Sequence, residues 1–209
     1  MNSVVSMALA LCGATLLLTI AVMSGWVQPF DDAVNEFIID AEVSWLVDVS
    51  LVFDELGSVP LVLGLIGAVF LLFGLTDRWS TALWWLLMVG SAIVVSEVLE
   101  EIVRRPRPVE SLIDKASWSY PSGHAMVSGV ALGIGSAVFA SVRWPARRTA
   151  LVSVGVGYAI VMGASRVYLR SHWVTDVLAG LMLGCAVVAV FYVMWRHRDR
   201  LVNGPESNE

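Results

Sequence analysis

Apolar residues run through this chain in six long blocks separated by short polar stretches. The blocks are Val4 to about Val22, Val59 to about Leu75, Thr81 to about Leu99, Ala125 to about Val142, Ala150 to about Ala164 and Val174 to about Trp195. The fifth is short as bounded and extends through Arg166. Each approaches the roughly 20 apolar residues an α-helix needs to cross a bilayer. Between the first two lies "QPFDDAVNEFIIDAEVSWLVDVSLVFDELGS", where apolar positions fall at helical spacing among acids. That pattern predicts one or two short helices at the membrane interface, with Asp31 to Glu55 as a solvated acidic region. The other connections, such as "TDRWS" and "RWPARR", are short. The expectation is an all-α, six-transmembrane-helix bundle, a single domain over residues 1–209, with a polar tail at 197–209.

Composition agrees: 57% of the 209 residues are hydrophobic and 15% are charged, where a soluble domain carries about 25% charged. No basic stripe with interleaved aromatics is present, which argues against a nucleic-acid partner. Cys12 and Cys185 each sit inside an apolar block, so they read as small buried hydrophobes rather than a disulfide or metal site. No Lys or Arg precedes Arg78, so the first block lacks the basic start of a signal peptide and reads as a retained span.

Six crossings put both termini on one side. That side holds Arg78, Arg143, Arg147, Arg148, Arg196, Arg198 and Arg200, against Arg104, Arg105, Arg107, Lys115, Arg166 and Arg170 on the other. The second group is concentrated in two polar stretches that carry chemistry. Discounting it, basic residues mark the termini as cytoplasmic and the chemistry as extracytoplasmic.

Those stretches are "RRPRP" to "YPSGH", 104–124, and "SRVYLRSHWVTD", 165–176. Six spans bring them to one membrane face, at the outer ends of spans three to six. His172 and Asp176 are four apart, on one face of a helix. A carboxylate there accepts the Nδ1 proton and leaves Nε2 free to attack an electrophile. Arg107 and Arg166 offer planar forks for phosphate oxygens. Ser122 and Gly123 offer a hydroxyl and backbone N–H groups where a helix begins. His124 is placed to protonate a leaving alkoxide. An attacking histidine, an orienting aspartate, a proton-donating histidine and an arginine cage together constitute phosphoryl-transfer machinery that needs no metal.

These residues resemble the type 2 phosphatidic acid phosphatases, integral-membrane lipid phosphatases related in fold to vanadium haloperoxidases. The family's motifs are Lys-x6-Arg-Pro, Pro-Ser-Gly-His and Ser-Arg-x5-His-x3-Asp. Pro121-Ser122-Gly123-His124 matches the second, and Ser165 to Asp176 matches the third at all four fixed positions. Arg107-Pro108 ends the first. The resemblance implies that His172 becomes a phosphohistidine, Asp176 positions it, and His124 protonates the leaving group and then activates water. It implies that Arg107, Ser122, Gly123 and Arg166 hold the phosphate, with no cofactor. The implied substrate is a membrane lipid phosphate or diphosphate, such as a polyprenyl diphosphate like undecaprenyl diphosphate, phosphatidate or phosphatidylglycerol phosphate. A short chain with an outward site suits recycling of a polyprenyl diphosphate carrier.

One position departs. Seven residues before Arg107 the family has lysine and this chain has Glu100; the register ending at Arg105-Pro106 gives Val98 instead. If the helix persists, Glu100 pairs with Arg104 and Glu101 with Arg105 at i,i+4. Arg104 and Lys115, the single lysine, are then the candidates to restore the missing charge. Glu100 also keeps open a catalytically weak member that binds or transports a lipid phosphate. Arg105 and Arg170 read as interface anchors, Glu97 as a structural polar group at the membrane edge, and His197 as an anchor on the cytoplasmic side.

Overall fold

In this computed structural model, residues 2–76, 79–142 and 144–203 are described. Arg78, Arg143 and the end of the polar tail lie outside them. Eight helices are found among the described residues: α1 (Asn2–Met23), α2 (Gln28–Asp40), α3 (Ser44–Leu56), α4 (Val59–Leu75), α5 (Trp79–Val103), α6 (His124–Ala140), α7 (Arg148–Tyr168) and α8 (Val174–Asn203). Their boundaries follow local chemistry. Proline occupies the first turns of α2 and α4, where its missing N–H has no helical partner to lose. Helix α5 stops at Val103 because Arg104 turns into the left-handed region, φ 48°, and Pro106 and Pro108 bar resumption.

Helices α1, α5, α7 with its short lead-in from Pro145, and α8 are each long and apolar enough to cross a membrane. Helices α3 and α4, bent by 59° at Gly57–Ser58, pass together as a fifth candidate, and α6 is a shorter apolar helix. The all-helical expectation stands, and so do the two short helices between the first two spans. Their acids are not uniformly solvated, however: Asp31 is 1% exposed, held by partners described below.

Helix α6 is enclosed by α4, α5, α7 and α8, while α1 lies against α8 and α3 against α7. Its first three turns, His124–Gly135, are π-wound. The core is built from Trp85, Met88 and Val89 of α5, Met126 and Val130 of α6, and Val188 and Trp195 of α8. Outward faces stay apolar, with Leu9, Leu17 and Ile20 of α1 exposed, as expected where lipid replaces water. Cys12 is on this exposed face, not buried. Small residues set the helix crossings, as they do in bilayers. A Cβ on Gly180 would come within 2.6 Å of the Ser122 carbonyl, and one on Gly184 within 2.7 Å of Val130. This close crossing seats the start of α6, with His124, beside the start of α8, just after His172.

Candidate active site

The two polar connections, 104–123 and 169–173, knit together over the ends of the bundle. Leu112 N–H donates to Leu169 O, Ser119 N–H to Arg105 O, and Ser122 N–H to Asp176 O. Trp173 Nε1–H donates to Pro106 O at 2.9 Å. These bonds fix His172 in a buried position, 5% exposed. Its Nδ1 lies 2.7 Å from the Ser119 carbonyl. A carbonyl only accepts, so Nδ1 carries the proton and Nε2 presents its lone pair. Nε2 is 3.0 Å from Arg107 Nη1. Arg107 is itself clamped by the carbonyls of Ser117, Trp118 and Ser171 and by the Ser117 hydroxyl. Arg107-Pro108, not Arg105-Pro106, is thus the pair that faces His172 Nε2.

A cavity of about 430 Å³ opens beside this nitrogen. It gathers Arg107, Lys115, Gly123, His124, Arg166 and His172 at a polar end and Val59, Val62, Leu63, Ile93 and Val127 along an apolar wall. Arg166 is fully buried. Its Nη1 donates to Asp54 Oδ1, and its Nη2 donates to Ser50 O at 3.2 Å. Asp54 Oδ1 also lies 3.2 Å from Lys115 Nζ and 3.4 Å from His124 Nε2. Among the described residues no group of three or more His, Cys, Asp or Glu is arranged to hold a metal.

Not every expected residue reaches the cavity. Ser122 is fully buried, and its hydroxyl accepts from Ala125 N–H, in the first turn of α6; its neighbour Gly123 does line the cavity. Asp176 lies behind His172. Its Oδ2 is 3.8 Å from Nδ1, too far for a hydrogen bond, so the Ser119 carbonyl takes the role expected of the carboxylate. Asp176 Oδ2 instead accepts Trp173 N–H at 2.9 Å, as an acid in the first turn of α8 does in a capping box. Its Oδ1 receives Arg105 Nη1 at 2.6 Å.

The expected pairings around Glu100 are corrected. Because α5 ends at Val103, Arg104 turns outward and pairs with Glu101 at 3.1 Å, both about two-thirds exposed; it does not line the cavity. Glu100 Oε1 accepts Trp118 N–H at 2.8 Å and lines the cavity with Glu97. Of the two candidate cations, Lys115 lines the cavity and Arg104 does not. Arg105 and Arg170 are not interface anchors. Arg105 is 7% exposed and bridges Asp31 and Asp176, and Arg170 pairs with Glu42 at 2.8 Å. Asp54, Asp31, Arg105 and the Ser119 carbonyl were absent from the expected set. Their partners lie 53 to 112 residues away, beyond any local spacing signal.

A family model described as the PAP2 superfamily matches residues 81–200. The chain belongs to the PAP2 superfamily. A phosphatidylglycerophosphatase B from Bacillus subtilis (strain 168) is 33% identical over 177 residues, 81% of this chain and 85% of that protein. An undecaprenyl-diphosphatase from Sulfolobus acidocaldarius is 33% identical over 100 residues, 44% of this chain and 45% of its own length. The crystal structure of a transmembrane PAP2 type phosphatidylglycerolphosphate phosphatase from Bacillus subtilis superposes with a TM-score of 0.84 at 28% identity, covering 91% of this chain and 96% of that one. Together with its apolar helices, this makes the chain a multi-pass membrane protein of the PAP2 lipid phosphatase family.

In this PAP2 site, burial is the main cause that lowers His172 to about 4; Arg107 acts in the same direction, and the Asp176 carboxylate opposes it. The imidazole is therefore neutral, with its lone pair available, through neutral and mildly acidic pH. The sign for folding follows. The unfolded histidine titrates near 6.5, so this neutral burial contributes its full stability above that pH and loses it as pH falls toward 4. In protein carrying ¹⁵N-labelled imidazoles, the His172 resonances, assigned by their loss in His172→Gln, should keep the Nδ1–H neutral pattern at pH 5.5. A midpoint above 6 would contradict the burial.

Proposed function

We propose that this PAP2 protein removes a terminal phosphate from a membrane lipid through a covalent phosphohistidine at His172. The carrying observation is that one cavity joins an unprotonated Nε2 (which accepts from Arg107), a second imidazole and three cations to an apolar wall. A lipid headgroup fits the polar end while its tails follow Val59, Leu63 and Ile93 toward the bilayer. Arg107, Arg166, Lys115 and the Gly123 N–H hold the phosphoryl oxygens, with Ser122 setting the helix start that aims the N–H. His172 Nε2 forms the P–N bond as the P–O bond to the lipid breaks, and His124 gives its proton to the departing alkoxide. His124 then takes a proton from water, whose oxygen attacks phosphorus and returns the electron pair to Nε2. Positive side chains carry the charge that develops on oxygen, so no metal is assigned to the reaction.

The substrate reading rests on the relatives. The match along 81% of the chain is to a phosphatidylglycerophosphatase B, while the undecaprenyl-diphosphatase match covers 44%. A phosphatidylglycerol phosphate or similar phosphomonoester is the leading substrate, ahead of a polyprenyl diphosphate.

Six crossings are proposed, counting α3 with α4 once and α6 once. The site then faces outward and both termini are cytoplasmic. Support comes from the cations at the site's end. Arg104, Arg105, Lys115, Arg166 and Arg170 each have a carboxylate within 4 Å, so the folded site itself accounts for their place, and the remaining Lys and Arg are the ones counted for orientation.

Glu100 in the lysine position supports a second reading, a lipid-phosphate binder or transporter with little turnover. Purified full-length protein in mixed micelles with EDTA separates the two. The phosphatase reading expects phosphate release from phosphatidylglycerol phosphate, and an acid-labile, alkali-stable phosphoenzyme that His172→Gln cannot form. Saturable lipid binding with neither release nor phosphoenzyme would establish the binder.

A further inference from the structure

The three recognised motifs supply both imidazoles, and the contacts of His172 to Arg107 and Asp176 are with motif residues too. His124 is seated by a different part of the chain, the elbow between α3 and α4. Gly57 lies directly against the ring: a Cβ there would fall 2.2 Å from His124 Cδ2 and 2.7 Å from Nε2. On the same elbow, three residues earlier, Asp54 faces Nε2 at 3.4 Å. His124 Nε2 is buried with no hydrogen-bond partner, and the Asp54 carboxylate stands at ion-pair distance from it. The charged groups around His124 come from four elements. They are Asp54 of α3, Glu97 and Glu100 of α5, Arg166 of α7, and Arg107 and Lys115 from the connection after α5, with His172 also lining the cavity. Asp54 is the carboxylate in contact with the ring. Arg166 and Lys115 also bind it, so it is fixed in place from three directions.

We propose that Asp54 is a positioning residue for the general acid: it orients His124 and favours its protonated form, as the carboxylate of a second imidazole–carboxylate pair opposite His172. The cavity then contains one imidazole set for attack, with Nδ1 on the Ser119 carbonyl, and another facing a carboxylate that favours the proton it must give. Gly57 gives the ring its seat, and Asp54 supplies the negative charge that favours the proton on His124. The elbow adds a component that the linear motifs do not contain. This rests on the assignment of His124 as general acid in the phosphatase reading.

The test uses two leaving groups. A lipid alkoxide departs only with a proton, whereas nitrophenolate departs without one. Full-length wild type, Asp54→Asn and Asp54→Glu are assayed on dioctanoyl phosphatidate and on p-nitrophenyl phosphate in the same micelles. Loss of a positioned proton donor removes ~100-fold or more. Asp54→Asn should therefore lower kcat on the lipid by about 100-fold and on p-nitrophenyl phosphate by less than about fivefold. The KM for the lipid should not rise, because removing a carboxylate leaves Arg166 and Lys115 free for phosphate. Asp54→Glu restores the charge and should recover part of the lipid rate. The readout is a ratio of two substrates in one preparation, so any loss of folded protein cancels.

An equal loss on both substrates, or none on either, overturns the proposal. So does a lipid defect that appears entirely in KM. His172→Ala serves as the separate control for the phosphatase reading. Release that survives in it would overturn the nucleophile and leave the Asp54 ratio standing or falling by itself.

Discussion

His172→Ala is expected to abolish phosphate release, by on the order of a million-fold, while the protein stays folded and continues to bind inorganic phosphate. The size follows from the role. Without Nε2 no P–N bond forms, and the cations are left holding a phosphate that nothing attacks. The folding cost is modest by comparison. The variant loses the Nδ1–H bond to Ser119 O and leaves the space of one imidazole, about 1–3 kcal/mol in all. Arg107 keeps its clamps from Ser117, Trp118 and Ser171, so the phosphate end of the cavity survives. Initial rates on phosphatidylglycerol phosphate, with phosphate affinity measured on the same preparation, separate the two effects. A variant retaining more than a hundredth of the wild-type rate would remove His172 from the role of nucleophile.

Long unbroken apolar runs made the membrane helices readable: α4 lies where its apolar block begins and ends, Val59–Leu75. The same applies to His124 and His172, whose motifs are short runs with fixed spacing. What lay hidden was which of many similar charges turn inward. Asp31, Asp32, Asp40, Asp48 and Asp54 share one acidic region. Asp31 is buried and Asp54 half-buried, while the other three are exposed. The partners that distinguish them are on α7, α8 and the connections, 74 to 144 residues away. No sequence spacing encodes such pairs, because they exist only after the helices are docked.

The adjacent arginines after α5 show how finely this depends on a boundary. Continuing the helix would have placed Arg105 over Glu101. One residue in the left-handed region, Arg104, ends the helix and reverses the outcome. Arg104 goes to the surface and takes Glu101, and Arg105 goes inside. The absent motif lysine follows a similar logic. Charge for the cavity comes from Lys115, carried in by the loop, rather than from the helix position that Glu100 occupies.

That reversal makes the second large prediction. Arg105→Met should destabilise the protein by about 3–5 kcal/mol, because truncating one partner strands buried charge. Arg105 donates to Asp31 Oδ2 at 2.7 Å, Asp176 Oδ1 at 2.6 Å, Thr175 Oγ1 at 2.8 Å and Gln28 Oε1 at 2.8 Å. Its guanidinium lies 5.3 Å from the Trp173 ring centroid. Both carboxylates have no exposed side-chain surface, so no water can replace the lost charge. Activity should fall as well, by roughly 10- to 100-fold, because Asp176 caps the helix turn that follows His172. Arg104→Ala, one residue away and exposed, should change stability by no more than about 0.5 kcal/mol and leave release intact. Thermal unfolding in one detergent, with phosphate release measured alongside, checks both. If stranded charge is the cause, Arg105→Met combined with Asp31→Asn and Asp176→Asn should regain much of the lost stability without regaining activity. Equal effects at 104 and 105 would mean that this buried network does not hold α2 to α8.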